Sequence, residues 1–423
     1  MKCPFSLPCG WILRPVWQEF DVTLGKMIQS EPTEDAPIGY PYHKAASVQD
    51  GVLLDPFEKM FASEIGAAKL GVRKGDLLVC EGGDIGRSAI VSAEPDQLTI
   101  IQNSVHRVRS KGRYPVEYLK LVLDAYRHNG WLDVFIGKNT IAHFTAETFN
   151  NLLIPLPNPQ YANKAVEIYQ FEAKAIGDLL SYMESKLNKL SEYRQSLITQ
   201  AVTKGLDPNV EMKDSGVEWI GHIPQSWSVP QVKYLFSVVC GATPSPSESN
   251  WGGDIAWIGP SDMEDAGMID HGARFLTSIG YKSCGTELVP VGSLILSTRA
   301  PIGKVAYACR ELCTNQGCKS LVPRQNIETK YFYYVLQAMR SLLEKEGSGT
   351  TFMELSTSSL GSQKLPLPSN KEQIAIADYL DKKLKQLQIT LDTTKKSIDR
   401  LTEYRTSLIS AAVTGKIDIN EVK

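Results

Sequence analysis

Two long stretches of the chain place apolar residues at alternating intervals of three and four, with charged residues on either side. The first stretch uses Val166, Tyr169, Ala173, Ile176, Leu180, Met183, Leu187 and Leu190. The second uses Ala377, Leu380, Leu384, Leu387, Leu391, Thr394, Ile398 and Leu401. This spacing puts a narrow apolar seam along one side of an α-helix and is typical of helices that pair with one another. It predicts two helices of about 35–40 residues, each roughly 55–60 Å long.

The two helical stretches belong to an internal repeat. Residues 190–207 and 401–418 share 11 of 18 positions at a constant offset of 211, and the same offset aligns the Pro-Leu-Pro at 155–157 with that at 366–368. Prolines of this kind mark a boundary before a helix. Gly205 and Pro208 are expected to end the first long helix. Because both helices come from one chain, we expect them to form an intramolecular antiparallel pair. The alternative is that each helix packs only on its own block.

The remaining sequence forms two blocks that mix short β-like runs with turns. Residues 75–91 resemble 292–307, and each segment predicts a strand, a turn carrying Ile-Gly-Arg or Ile-Gly-Lys, and a second strand. These marks divide the chain into a first block (1–151), a first helical region (152–207), a linker (208–218), a second block (219–364) and a second helical region (365–423). The predicted fold is mixed α/β (α+β), with two similar blocks separated by a long antiparallel two-helix coiled coil in a pseudo-two-fold repeat.

Composition narrows the class of protein. With 43% hydrophobic and 22% charged residues the chain is an ordinary globular one. It has no apolar run long enough for a membrane span, and its start lacks an apolar signal core, so we expect a cytoplasmic protein. The eight cysteines are expected to be reduced thiols, and the spacing of Cys309, Cys313 and Cys318 does not match a zinc knuckle.

The charge balance gives no overall sign of a nucleic-acid binder, since 45 Lys and Arg face 47 Asp and Glu, a formal net charge of −2. Any DNA contact therefore needs local basic clusters or a partner that supplies positive charge. In the first block the candidates are Arg87 beside the turn glycine Gly86, the run Arg107, Arg109, Lys111 and Arg113, and the polar segment Lys138, Asn139 and Thr140. In the second block they are Arg299, Lys304 beside Gly303, Lys319, Thr350 and Thr351. The alternative for each is a solvated edge or a helix cap.

Catalytic patterns were not found in the sequence. It has no Walker-type Gly-x-x-x-x-Gly-Lys-Ser/Thr, no Gly-x-Ser-x-Gly, no His-Glu-x-x-His and no Asn/Asp-Pro-Pro-aromatic run. The six histidines are scattered along the chain. These observations favour a recognition module over an enzyme.

The repeated elements resemble those of a known family. Each block ends in Pro-Leu-Pro, a heptad helix and Glu-Tyr-Arg-x-Ser-Leu-Ile-x-x-Ala-Val-Thr, and the second opens with Glu-Trp-Ile-Gly-x-Ile-Pro-x-x-Trp at 218–227 followed by Trp251 and Trp257. Pro8 and Trp11 loosely echo the Pro-x-x-Trp at 224–227. This arrangement resembles the specificity (S) subunit of a type I restriction-modification system.

The resemblance implies a non-catalytic subunit that binds double-stranded DNA, with each block a target-recognition domain for one half of a split target. The paired helices would act as spacer and would dock two methyltransferase (M) subunits through Tyr193, Arg194, Leu197, Tyr404, Arg405 and Leu408. S-adenosylmethionine would reside in the M subunits, ATP and Mg in restriction (R) subunits, and no metal or cofactor in this chain. Two alternatives stay open: a coiled-coil scaffold that does not bind DNA, and a system that methylates without cleaving.

Overall fold

A computed structural model of the chain describes residues 4–136, 144–263, 267–324, 326–347 and 354–419. The chain divides into two compact units. Unit 1 comprises Met1–Glu184 and Lys396–Lys423, and unit 2 comprises Ser185–Lys395. Each unit therefore contains one of the two blocks together with part of each long helix. None of the helices in the described ranges is long and apolar enough to cross a bilayer.

The elements of unit 1 alternate short strands with short helices up to the first long helix. They are β1 (Ile12–Pro15), β2 (Phe20–Leu24), β3 (Ile38–His43), β4 (Lys59–Ala62), α1 (Glu64–Leu70), β5 (Leu77–Cys80), β6 (Ser88–Ile90), β7 (Ile100–Ile101), β8 (Val105–Ser110), α2 (Val116–His128), α3 (Trp131–Ile136), α4 (Ala146–Asn151), β9 (Leu153–Leu156) and α5 (Pro159–Lys204). The predicted strand, turn and strand at 75–91 are confirmed as β5 and β6.

Unit 1 contains a four-stranded sheet, β2-β8-β5-β6, and a three-stranded sheet, β4-β3-β7. The main core lies between the larger sheet and α2, because alternate strand residues such as Leu77, Val79 and Val108 meet the apolar side of α2, including Leu119 and Val122. The three-stranded sheet has a small core of its own beside α1. The larger sheet is therefore the scaffold of the unit, and the small sheet is a lobe attached to it.

The elements of unit 2 follow in a similar order. They are β10 (Met212–Asp214), β11 (His222–Pro224), α6 (Val232–Leu235), β12 (Phe236–Cys240), β13 (Trp251–Ile258), β14 (Gly267–Ile269), β15 (Arg274–Leu276), α7 (Ser278–Lys282), β16 (Leu294–Ser297), β17 (Val305–Ala308), β18 (Cys313–Thr314), β19 (Cys318–Pro323), α8 (Thr329–Ala338), α9 (Arg340–Glu346), α10 (Thr357–Ser362) and α11 (Asn370–Thr414).

Unit 2 repeats the topology of unit 1. Its larger sheet has the order β12-β19-β16-β17, with β14 added at the edge, and its small sheet has the order β15-β13-β18. In both small sheets the central strand pairs antiparallel with one neighbour and parallel with the other. The strand registers align the two copies residue by residue, so that Tyr42 corresponds to Trp257 and His106 to Lys319. The expected repeat is thus present in the fold as well as in the helices.

The predicted seam is confirmed along both long helices. All sixteen seam residues are buried or half-buried. In unit 1 the start of α5, including Ala162 and Ala165, shares a core with Ala412 and Val413 near the end of α11. In unit 2 the end of α5, including Val202, shares a core with Ile376 and Leu380 near the start of α11. The start of each helix packs with the end of the other, which is an antiparallel arrangement.

The helices are longer than the seam spacing predicted, with 46 and 45 residues. Each is about 68 Å long at 1.5 Å per residue. The first helix begins at Pro159, where the missing N–H costs nothing because the first turn has no intrahelical partner for it. At the other end the apolar face continues through Ile198, Ala201 and Val202, which are buried.

Both helices end at a glycine that packs against a Pro-x-x-Trp segment. Gly205 and Gly415 each have φ +75°, the left-handed conformation that favours glycine. A Cβ added at Gly205 would lie 3.3 Å from Trp227, and one added at Gly415 would lie 2.4 Å from Pro8 and 3.2 Å from Trp11. Pro8 and Trp11 are therefore the structural counterparts of Pro224 and Trp227, although their sequence context is less similar.

Candidate nucleic-acid interface

The two turns singled out by the sequence occupy the same place in each unit. Gly86 has φ +76° and Gly303 has φ +87°, so both glycines adopt the left-handed conformation that the turns require. The turns are also tightly packed, because an added Cβ would lie 2.5 Å from Leu132 at Gly86 and 2.9 Å from Arg340 at Gly303. Each turn is therefore held rigidly against the helices of its own unit.

The basic residue after each turn glycine is bound within the fold. Nη2 of Arg87 donates to the carbonyl oxygen of Ala45 at 2.8 Å. Nζ of Lys304 donates to the carbonyl oxygen of Met263 at 2.7 Å. Both side chains are half-buried. In both units the cation thus connects the larger sheet to the backbone beside the small sheet, which limits its freedom to reach a phosphate.

The arginines of β8 follow the same pattern. Arg107 is 7% exposed, and its guanidinium donates to the carbonyl oxygens of Lys69 (2.9 Å) and Gly71 (2.6 Å) and to Thr23 Oγ1 (3.1 Å). Arg109 makes a two-point contact with the buried Asp76, at 2.7 and 2.8 Å. The structure thus gives Arg107 a structural role at the end of α1, where a cation also complements the helix dipole.

The two basic residues that follow β8 are closer to solvent. Nζ of Lys111 lies 2.6 Å from the carbonyl oxygen of Trp17 and 3.4 Å from Asp21 Oδ1. Arg113 is more than half exposed and lies 3.8 Å from Glu19. Of the run from Arg107 to Arg113, Arg113 is the residue most available to an external phosphate.

In unit 2 two of the basic candidates, Arg299 and Lys319, contact the same carboxylate. Nε and Nη2 of Arg299 each lie 2.9 Å from Glu354 Oε2. Nζ of Lys319 lies 3.4 Å from Glu354 Oε1 and 3.3 Å from Thr298 Oγ1, and Lys319 is 4% exposed. Arg299 is the exposed member of this cluster, and the buried Lys319 contacts the same Glu354 carboxylate. The predicted site residues Lys138, Asn139, Thr140, Thr350 and Thr351 lie outside the described residues.

His106 in β8 is the counterpart of Lys319 and is also buried. Its Nε2 lies 2.6 Å from the carbonyl oxygen of Phe144, and its Nδ1 has no hydrogen-bond partner among the described residues. Burial lowers the pKa of His106, and the hydrogen bond to Phe144 offsets this only in part. A neutral His106 that donates from Nε2 fits this environment.

Sequence reasoning missed two charged groups on the small sheets. In unit 1, Glu58 accepts hydrogen bonds from Tyr42 Oη (2.7 Å) and Lys44 Nζ (2.5 Å). In unit 2, the guanidinium carbon of Arg274 lies 3.3 Å from the ring centre of Trp251 and 5.8 Å from that of Trp257. Glu58 and Arg274 lie in no basic run or motif of the sequence. The sequence signal near Arg274 was the pair of tryptophans, Trp251 and Trp257. Only the strand pairing shows which charge each aromatic ring meets.

The predicted docking residues on the helices differ in exposure. Tyr193 is 57% exposed and its counterpart Tyr404 is 51% exposed. Arg405 is exposed and Arg194 is half-buried. Leu197 packs against the core of unit 2, and Leu408 is buried. The surface that a partner could contact at this motif is therefore formed by the tyrosines and arginines, and the leucines face inward.

Among the described residues, no three or more His, Cys, Asp or Glu side chains lie together in a group that could hold a metal ion. The buried thiols Cys313 and Cys318 have pKa values that burial raises to about 11 and about 12, so they are not reactive thiolates. The groups that dominate the candidate interface are thus hydrogen-bonding and cationic side chains, several of them already paired.

Comparison with known proteins agrees with this architecture. Residues 224–400 match the family model for the type I restriction modification DNA specificity domain. The type I restriction enzyme MjaIX specificity subunit of Methanocaldococcus jannaschii is 37% identical over 182 residues, which cover 40% of this chain and 42% of that protein. The putative MjaX specificity subunit of the same organism is 24% identical over 98% of this chain and 95% of that protein.

Solved structures share the fold. A solved chain described under complex assembly and conformational transition of the type I R-M system aligns with a TM-score of 0.77 at 18% identity, covering 98% of this chain and 100% of that one. The HsdS subunit from Thermoanaerobacter tengcongensis aligns with a TM-score of 0.57 at 18% identity, covering 98% of this chain and 99% of that one.

The topology shows two copies of one fold, and the match to the DNA specificity domain lies in the second copy. The chain is similar to the specificity subunits of type I restriction-modification systems, over 40% of its length to one curated relative and over 98% to another. The family resemblance inferred from the sequence is thereby confirmed. Subunits of this kind are non-catalytic.

Proposed function

We propose that this chain is the DNA-reading subunit of a complex with methyltransferase subunits, and that each unit reads one half of a bipartite double-stranded target. The observation that carries this proposal is the presence of the same two-sheet topology twice in one chain. Two similar but non-identical readers suit a target with two different halves. The match of residues 224–400 to a DNA specificity domain supports the assignment of unit 2, and the shared topology extends it to unit 1.

Docking of two methyltransferase subunits is proposed at the repeated Glu-Tyr-Arg motif. Tyr193 and Tyr404 occupy equivalent positions and are exposed to a similar degree. A partner that recognises one copy of the motif would recognise the other, so two copies of the same partner are expected. In this proposal the M subunits carry S-adenosylmethionine and the adenine N6 methylation chemistry, R subunits carry ATP and Mg, and this chain holds no cofactor.

The electrostatics of the chain support a shared DNA clamp. The formal net charge is −2. Arg107, Arg109 and Lys319 are engaged inside the fold. Since phosphate contacts supply most of the non-specific affinity for DNA, we infer that the M subunits provide much of the positive surface. The subunit alone is then expected to bind its target far more weakly than the complex does.

The decisive experiment maps methylated bases in cells that express the M subunits with and without this chain. The proposal predicts adenine methylation at a two-part sequence only when the chain is present. A gel shift with purified subunits and a duplex of that sequence should show specific binding by the complex. Identical methylation in both strains, or no specific shift, would instead support a scaffold that does not read DNA.

A further inference from the structure

The two units carry opposite charges at one equivalent position of their small sheets. Tyr42 pairs in parallel with β7 as Trp257 does with β18, which makes these two residues equivalent. Across the antiparallel side, Trp257 lies opposite Arg274. The β3–β4 register continues to Glu58, whose carbonyl oxygen accepts a hydrogen bond from the Tyr42 N–H at 3.2 Å. Glu58 in unit 1 therefore corresponds to Arg274 in unit 2.

Arg274 is exposed, yet aromatic contacts fix its position. Its guanidinium carbon lies over the ring of Trp251, 3.3 Å from the ring centre, and over the ring of Trp257, 5.8 Å from the ring centre. Both tryptophans are themselves fixed, because Trp251 Nε1 donates to the Ser245 carbonyl (3.1 Å) and Trp257 Nε1 donates to the Ala242 carbonyl (3.0 Å). Within the described part of the chain the guanidinium has no carboxylate partner. A guanidinium held over an aromatic ring can still donate hydrogen bonds through its in-plane N–H groups.

Glu58 is held in a comparable way in the lining of a concave pocket of about 80 Å³. Tyr42 and Lys44 each donate to one of its carboxylate oxygens. Apolar residues, including Leu54, Pro56 and the largely exposed Phe57, form the rest of the wall. The hydrogen bonds from Lys44 and Tyr42 lower the pKa of Glu58, so the carboxylate is ionised at neutral pH and acts only as an acceptor.

We propose that Arg274 and Glu58 are base-reading residues, Arg274 for a guanine in the half-site of unit 2 and Glu58 for the exocyclic amine of a cytosine or adenine in the half-site of unit 1. This inference rests on the proposed function. An arginine fork matches the O6 and N7 acceptors of guanine, whereas a carboxylate accepts from an exocyclic amine. Holding each side chain in place before binding reduces the entropy lost on contact with the base. The pseudo-symmetry then explains how one scaffold reads two different half-sites.

The test for Arg274 compares the methylated sequence set of the full complex carrying wild type, Arg274→Ala and Arg274→Lys. Both variants should relax one base position in one half-site, reducing the preference for guanine there roughly ten- to hundredfold. The lysine variant keeps the positive charge but loses the planar fork, so a mere phosphate contact would survive it. Arg310→Ala, which removes another exposed arginine of unit 2, is the matched control and should leave every position unchanged.

Glu58→Gln tests the other unit with the same readout. Glu58→Gln should weaken the base preference at one position of the half-site that unit 1 reads. The base that the wild-type complex prefers at that position shows whether Glu58 reads cytosine or adenine. Glu64→Gln, at an exposed position on α1 of the same unit, is the control. Circular dichroism and thermal unfolding of each variant establish that it is folded before its methylated sites are compared.

Two outcomes would overturn the proposal while the wild-type complex still methylates a bipartite target. One is an unchanged sequence set for folded Arg274 and Glu58 variants. The other is an equal loss of methylation at all sites with no relaxed position, which indicates phosphate contact instead of base reading. If the wild-type chain directs no bipartite methylation at all, it is the proposed function that fails.

Discussion

Arg107 and Arg113 belong to the same basic run but occupy different environments, and this separates stability from DNA contact. Arg107 is buried and serves the carbonyl oxygens of Lys69 and Gly71, whereas Arg113 is more than half exposed. Arg107→Ala should lower the free energy of unfolding by about 2–3 kcal/mol, since buried acceptors lose charged donors. Arg113→Ala should leave stability within about 0.5 kcal/mol and weaken DNA binding by the complex. Chemical denaturation and gel shifts measure the two effects, and equal stabilities would contradict this division.

His43 gives the stability of the chain a defined pH dependence. Burial lowers its pKa to about 4, and the nearby Asp55 carboxylate offsets this only partly. The unfolded chain, with a histidine pKa of about 6.5, binds a proton that the folded chain excludes between these values. The free energy of unfolding should therefore fall as the pH falls from about 6.5 to about 4, by at most about 3 kcal/mol from this residue.

The corresponding measurement is urea denaturation across this pH range for wild type, His43→Gln and the control His222→Gln, which alters an exposed histidine. His43→Gln should flatten the dependence, and His222→Gln should not. Equal slopes for His43→Gln and wild type would show that another buried group, such as His106, causes the pH dependence.

At the scale of elements, a close backbone approach recurs in both units. A Cβ added at Gly25 would lie 2.2 Å from the carbonyl oxygen of Gln102, and one added at Gly241 would lie 2.0 Å from that of Asn315. Gly25→Ala or Gly241→Ala should force the chain away from its neighbour and cost about 1–3 kcal/mol. Gly177→Ala is the opposite case, because within the described residues its added Cβ would meet no atom within 4 Å beyond its chain neighbours and the backbone of its own helix. It should stabilise α5 by about 0.5–1 kcal/mol. Unfolding midpoints test both signs.

The seam of the long helices makes a prediction about spacing. Seven residues form two turns, so a heptad inserted into both α5 and α11 preserves the apolar seam and lengthens each helix by about 10 Å. If the helices set the gap in the DNA target, that gap should grow by about three base pairs while both half-sites stay the same. Methylation mapping reads the gap directly, and an unchanged gap would show that the helices do not determine it.

At the scale of the whole molecule, each unit has its own core and its own copy of the fold. Replacing residues 1–151 with the corresponding block of another specificity subunit should therefore change one half of the recognised sequence and leave the other half intact. Methylation mapping with the same M subunits checks this. A change in both halves would mean that the two units read the target jointly.

The internal repeat, the apolar seam and the proline and glycine that bound the first long helix could be read from the sequence because they are local or periodic. Alternation of three and four residues is a property of a single helix, and glycine and proline act on their own backbone dihedral angles. The family resemblance depends on the same signals. These features determined the two-block plan and the strand, turn and strand around Gly86 and Gly303.

Only the tertiary structure decided which charged residues are available. A basic run has the same spacing whether its side chains face solvent or, like Arg107, bind carbonyl oxygens 36 and 38 residues away. The position shared by Glu58 and Arg274 is likewise fixed by strand register, which depends on pairing between distant segments. Burial and cross-strand pairing are long-range properties, so the sequence alone determined the repeated architecture, and the folded chain determined which charged side chains are bound within the fold and which are exposed.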